Sequence, residues 1–204
     1  MVGSGTLPAM NNALQLAEIN ARWVRDCTCT LKESATQAVP GDGNADAQIL
    51  FIGEAPGKSE DIEGRPFVGA AGKFLNEMLA TIDLKREDVY ITNVVKYRPP
   101  DNRDPLPEEV AACAPWLAEQ VALIDPTLIV LLGRHALEQF FPEEKISLVH
   151  GTVLQKKTGY LGTRNFYALY HPAAALYNGS MRGVLLEDFK RIPSVLKHLE
   201  NIRS

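Results

Sequence analysis

Four short runs of the chain are apolar almost from end to end. Residues 48–53 read QILFIG, 88–95 read DVYITNVV, 127–133 read TLIVLLG and 165–172 read NFYALYHP. A strand covered on both faces shows such a continuous run instead of alternation, so each predicts a buried strand. Helical spacing fills the intervals. Leu14, Leu16, Ala17, Ile19 and Trp23 fit a helix over 13–24, and Phe74, Leu75, Met78, Leu79 and Ile82 share one side of a helix over 70–82. Residues 106–124 begin with Pro107 and two glutamates, which suit the positive end of a helix, and Pro115 predicts a bend or a split within it. RHALEQFF at 134–141 predicts a short helix and residues 183–200 a last one. Residues 38–47 are turn material, and 146–162 suit irregular structure or a hairpin.

Strands alternating with helices predict an α/β fold, a mostly parallel sheet covered on both faces. Ligands of such sheets sit beyond the carboxyl ends of the strands. Those ends carry Gly53-Glu54-Ala55-Pro56-Gly57, Asn93, Gly133-Arg134-His135 and His171-Pro172. The polar residues that interrupt the apolar runs are therefore expected along one edge. No internal repeat or low-complexity tract breaks the chain, so residues 1–204 are read as one domain, with 1–10 disordered and outside the fold argument.

Composition narrows the picture. A length of 204 residues, 46% apolar and 23% charged, suits a globular domain that needs no staples. No run approaches the roughly 20 apolar residues of a membrane span, and the first residues lack a signal-peptide pattern. Three cysteines, Cys27, Cys29 and Cys113, with no such signal point to a reducing cytoplasm. The net charge of −4 disfavours a non-specific nucleic-acid coat but leaves room for a local basic face.

The segment 50–74, LFIGEAPGKSEDIEGRPFVGAAGKF, holds the densest candidate chemistry. Gly53 and Gly57 permit tight turning with exposed N–H groups. Glu54, Glu60, Asp61 and Glu63 make an acidic loop, whose ordinary fate is solvation. Phe67, after Pro66, is costly to leave on a loop unless it packs or stacks, and a core position is its commoner fate. Asn93 suits a strand-end turn, or an amide that pairs with a heteroaromatic edge. His171 suits a satisfied loop histidine, or a neutral imidazole facing a developing anion. Lys96, Arg98, Arg103, Arg134, Lys156, Lys157, Arg164 and Arg182 gather near these points, and RPPDNRDP at 98–105 is a rigid loop suited to phosphate contact. No dinucleotide fingerprint, Walker loop or Gly-x-Ser-x-Gly elbow is present.

Together, GEAPGKSEDIEGRPFVGAAG, VYITNVVKYRPPDNRDP, LIVLLGRHAL and YHPAAAL resemble the family 4 uracil-DNA glycosylases in order and spacing, from about residue 26 onward. The resemblance implies a three-layer α/β/α fold around a four-stranded mostly parallel sheet. It implies a monomeric DNA-repair enzyme that flips uracil out of DNA and hydrolyses its glycosidic bond. Phe67 then matches the ring stacked on uracil, Asn93 the amide that reads it, and His171 the histidine facing O2 of the leaving base. Gly53, Glu54 and Ala55 line the pocket. Glu60 matches an acid at the attacking water or the pocket wall, and is the candidate for refusing thymine. The segment AAALYNGSMRG matches the loop that presses into the duplex, with Met181 or Leu176 filling the gap and Arg182 on phosphate. Arg98 and Arg103 are the further DNA-binding candidates.

One feature departs from that pattern. Family 4 members hold a [4Fe-4S] group on four cysteines: a Cys-x-x-Cys pair, one in Lys-Cys-Arg-Pro-Pro, and one in the next helix. Here Cys29 and Cys113 match, Tyr97 stands at the third position, and Cys27 is out of register. The expectation is no cofactor, with Tyr97 and apolar packing filling the space; an altered cluster or zinc site on Cys27, Cys29 and Cys113 is the alternative. Rival readings are a relative with altered base specificity and a non-catalytic DNA binder. Retention of Phe67, Asn93 and His171 together weighs against the second.

Overall fold

The computed structural model describes residues 11–158 and 162–203; the disorder expected for residues 1–10 lies outside them. The elements run α1 (Asn12–Asp26), β1 (Asp42–Gly43), β2 (Ile49–Gly53), α2 (Lys58–Glu63), α3 (Ala70–Ala80), β3 (Tyr90–Asn93), α4 (Pro107–Ile124), β4 (Leu128–Leu132), α5 (Arg134–Phe140), α6 (Ile146–Val149), β5 (Val153–Thr158), β6 (Gly162–Leu169), α7 (Ala174–Tyr177), α8 (Ser180–Phe189) and α9 (Ile192–Arg203). Strand order is β1-β3-β2-β4-β6-β5.

The four expected strands, β3, β2, β4 and β6, form the parallel centre of the sheet. The sheet itself has six strands, because β1 pairs antiparallel with β3 and β5 antiparallel with β6. The added edges carried little signal. Residues 42–43 bury no apolar pair, and β5, VLQKKT, is mostly polar because an edge strand meets water.

Alternation within the central strands divides the core. Leu50, Ile52, Ile129, Leu131, Phe166 and Ala168 face α1, α4 and α5 through Leu16, Trp116, Leu117, Val121 and Leu137. Ile49, Phe51, Leu128, Val130, Tyr167 and Leu169 face α3, α8 and α9 through Phe74, Leu75, Met78, Phe189 and Ile192. A polar residue inside either strand face must find a partner to replace its water, which is why β2 and β4 are apolar throughout.

Two helix expectations change. α4 is continuous across Pro115. The ring removes the N–H that would bond the carbonyl of residue 111, but Ala111 and Pro115 both lie on the exposed side, where water reaches that carbonyl. The single last helix is two, α8 and α9, separated at Lys190–Arg191, with Pro193 in the first turn of α9, where its missing N–H costs nothing.

Candidate active site

Register brings the polar strand ends together. Gly53 pairs with Asn93 across β2 and β3. The pairing continues past the strands, as Val94 N–H donates to Gly53 O at 2.9 Å and Val95 N–H to Glu54 O at 3.1 Å. A cavity of about 440 Å³ opens there, lined by Glu54, Ala55, Pro56, Gly57, Glu60, Phe67, Asn93, Arg103, His171 and Tyr177 among others. Seven of the sequence candidates thus share one cavity. Gly53 lies beneath it: a Cβ there would sit 2.4 Å from Asn93 Oδ1 and 2.8 Å from the Phe67 ring, so only glycine leaves room for both.

Asn93 is 1% exposed, and its Oδ1 is buried with no hydrogen-bond partner. An unpaired buried amide oxygen is costly, and ligand binding is a common reason to keep one. His171 Nδ1 accepts the Ala173 N–H at 3.1 Å, which places the ring proton on Nε2. Crowding by the protein pushes its pKa down to about 4; the Glu60 carboxylate opposes that shift and His135 adds to it. The ring is therefore neutral, with Nε2–H available as a donor. Phe67 lies beside it, ring centroids 5.5 Å apart and planes 31° apart.

The acidic loop divides its labour. Glu60 Oε1 accepts the N–H groups of Val68 and Gly69, both at 2.9 Å, so one oxygen of this carboxylate holds the loop that carries Phe67. Asp61 turns inward to Thr36, accepting its N–H at 2.8 Å and its hydroxyl at 2.7 Å. Burial pushes the Glu54 carboxyl above its usual range; His135 pulls it back and Asp104 pushes it further up. His135 Nε2 lies 3.7 Å from Glu54 and 3.3 Å from Asp104, between the two carboxylates. Ligand-type atoms of these three residues lie within 4.8 Å of one another.

The basic candidates differ from one another in their surroundings. Lys96 is fully buried, its ammonium bonded to Thr92 Oγ1 at 2.5 Å, Asn93 O at 2.8 Å and Gln120 Oε1 at 2.8 Å, so it is not a phosphate contact. Arg98 donates to Asn102 Oδ1, and Arg103 makes a two-point contact with Glu109 at 2.9 and 2.6 Å. Arg182 pairs with Glu77 and lies over the Phe74 ring at 4.4 Å. Met181 and Arg182 do not line the cavity, whereas Tyr177 does and is 91% exposed, with Leu176 at 49%. Tyr177 was not singled out from the sequence. Its signal was an aromatic five residues beyond a strand-end proline, in a segment with no apolar period to bury it.

The family model of the uracil DNA glycosylase superfamily matches residues 40–196. The chain belongs to that superfamily. It is 47% identical to a type-4 uracil-DNA glycosylase of Saccharolobus solfataricus, over 85% of this chain and 83% of the relative. It is 50% identical to one from Archaeoglobus fulgidus, over 80% and 84%. It is 44% identical to one from Thermotoga maritima, over 90% and 96%.

The [4Fe-4S] group implied by the family 4 resemblance needs four thiolates. This superfamily member brings three thiols and a phenol to one place. Cys27, Cys29, Tyr97 and Cys113 are all buried. Cys27 Sγ lies 4.0 Å from the carbonyl of Ala112, and Cys29 Sγ 3.7 Å from that of Glu109. The Cys113 thiol holds that of Cys29 down to about 7, while the same contact and burial push Cys113 up. Tyr97 sets its ring edge-on to Trp116, centroids 6.5 Å apart, and its hydroxyl has no partner. Asp26 stands three residues before Cys29, where Cys-x-x-Cys would put a thiolate, and it turns outward to Arg25 at 2.7 and 2.8 Å. This donor set does not fit a four-thiolate cluster. The α1–α4 junction has other ties: Trp23 stacks on Trp116 at 6.2 Å, and Asn20 Oδ1 accepts from Trp116 Nε1 at 3.0 Å and Gln120 Nε2 at 2.8 Å.

Proposed function

We propose that this chain excises uracil from DNA by hydrolysing the N-glycosidic bond, leaving an abasic site. The observation that carries the reading is the unpartnered Asn93 Oδ1 in a cavity that also holds Phe67 and a neutral His171. Uracil offers an N3–H donor beside an O4 acceptor, the complement of a carboxamide. Cytosine reverses both and is refused. The bond is out of reach in stacked DNA, so the nucleotide must be extruded, at a cost of a few kcal/mol.

Cleavage leaves the N1 electron pair on uracil and positive charge on the sugar. Nε2–H of His171 donates to O2 as negative charge develops there. Glu54 and the second oxygen of Glu60 favour the cationic sugar and orient the water. The water oxygen bonds C1′, and its proton passes to a carboxylate or to solvent. Tyr177 lines the cavity and the neighbouring Leu176 is also exposed, where an aromatic or aliphatic wedge would fill the gap left in the stack.

The test is release of free uracil from a uracil-containing oligonucleotide, with strand scission after alkali. Tight binding of uracil-DNA by folded protein without release would overturn the reading and leave a non-catalytic binder.

A further inference from the structure

Phe67 has φ +51°, in the left-handed region that L side chains other than asparagine and aspartate rarely enter. Such a backbone persists only when its surroundings impose it. Three contacts do so. Glu60 takes the N–H groups that follow Phe67, as described above. The α3 backbone abuts the Phe67 carbonyl, since a Cβ at Gly72 would lie 1.8 Å from that oxygen. Arg86 donates from Nη1 to the same Phe67 O at 3.0 Å and from Nη2 to Pro66 O. Arg86 is itself aimed by Asp42, whose Oδ2 accepts its Nε at 3.0 Å and also Arg65 Nη2 at 2.9 Å.

Arg86 does not line the cavity, and its side chain is only 17% exposed. It belongs to a short 3-10 turn, Arg86–Asp88, just before β3, and Asp42 belongs to β1, the antiparallel edge beside it. The edge strand that carried no sequence signal thus anchors a guanidinium behind the base-stacking ring. Two adjacent carbonyls and a carboxylate demand three N–H groups in one plane, which arginine supplies and lysine does not.

We propose that Arg86, set by Asp42, is a positioning residue for base recognition: it holds the Phe67 backbone in the left-handed form that presents the ring to the flipped base. The proposal rests on the uracil reading above. It predicts that Arg86 acts only through the Phe67 ring, and a double-mutant cycle tests this.

Wild type, Arg86→Met, Phe67→Ala and the double variant are compared for excision from a uracil oligonucleotide and for inhibition by free uracil, with thermal melting as the folding control. Arg86→Met alone is expected to lower kcat/KM by about 10- to 100-fold, the scale of a misplaced recognition group, and to weaken uracil inhibition in parallel. In the Phe67→Ala background the same change should cost less than about twofold. Arg86→Lys should recover part of the loss, and Asp42→Asn should give a smaller one. The salt dependence of binding to uracil-free DNA should not change, since Arg86 meets no phosphate.

Equal losses with and without the Phe67 ring, or an altered salt slope, would overturn the proposal. So would full activity of folded Arg86→Met. Should Arg86→Met not fold, Arg86→Lys and Asp42→Asn carry the same cycle. Should wild type release no uracil, the glycosylase reading fails separately, and the cycle is read from the affinity difference between uracil-containing and plain DNA.

Discussion

Among the described residues four side chains bury a polar atom with no partner, and two of them, Asn93 and Tyr97, differ in what surrounds that atom. Asn93 Oδ1 opens onto a cavity of about 440 Å³ shared with His171, Phe67 and two glutamates. The Tyr97 hydroxyl sits among Cys27, Cys29, Cys113 and Trp116 inside the core on the α1–α4 side. An orphaned atom carries a desolvation cost in either place. At Asn93 a ligand edge of complementary pattern can remove that cost. At Tyr97 the neighbours are thiols and rings, weak partners for a phenol. An unsatisfied group therefore points to a ligand only when space and complementary chemistry accompany it.

The comparison breaks most decisively at His171. His171→Ala should lower the rate of uracil release by about 100- to 1000-fold, the loss seen when an oxyanion donor is removed, with DNA affinity little changed. Single-turnover excision and equilibrium binding measure the two halves. A parallel loss of affinity would mean that the imidazole binds the ground state too.

The next effect is on pH. Folded His171 titrates near 4 instead of 6.5, so the native state excludes a proton that the unfolded chain accepts. The contribution is complete above about 6.5 and shrinks as pH falls toward 4, by on the order of 3 kcal/mol in all. Denaturant midpoints between pH 7 and 4 should show this slope, and His171→Gln should flatten it. Excision should likewise keep its neutral-pH rate until the acid limb nears 4, as far as this group sets it. A rate that halves near 6.5 would place the imidazole in water.

The thiol core should answer in the opposite sense from the pocket. Tyr97→Phe removes an unpartnered hydroxyl and should stabilise the fold by about 1 kcal/mol in urea unfolding, with excision unchanged. Destabilisation would show that the hydroxyl has a partner. Iron and sulfide analysis of anaerobically prepared protein should fall well below one cluster per chain, and near-stoichiometric iron with absorbance around 400 nm would reverse the reading of this donor set.

The smallest change concerns the surface. Arg182→Ala breaks an exposed pair with Glu77, worth about 0–1 kcal/mol to stability, so melting should hardly move. If Arg182 exchanges Glu77 for a phosphate, the salt slope of DNA binding should fall by about one. An unchanged slope would leave it a purely structural ion pair.

How much of this was legible in the chain depends on whether a residue's role is written in its own neighbourhood. Ile49–Gly53 and Leu128–Leu132 were readable because strands covered on both faces leave no position for a polar side chain. Glu54, Glu60, Phe67, Asn93 and His171 were readable as types at strand ends and through a resemblance of motif spacing. Asp42–Gly43 was not, since two residues on a sheet edge have no periodicity to display. The break between α8 and α9 was hidden because apolar spacing alone ran on through it. Lys96 read as surface charge because nothing local announces three acceptors converging on it.

The sequence by itself determined the four central strands, the side on which their polar ends emerge, and the residue types available there. Those follow from burial and spacing, which are local. Tertiary structure alone decided that Glu60 gives one oxygen to the loop, that Nδ1 of His171 is occupied, and that Tyr177 stands at the cavity mouth. It also put Arg86 behind Phe67, 19 residues away in the chain. Hydrogen bonds close over a few ångströms of space, whatever the distance along the chain, and the strained φ of Phe67 exists only because partners from three separate segments meet around it.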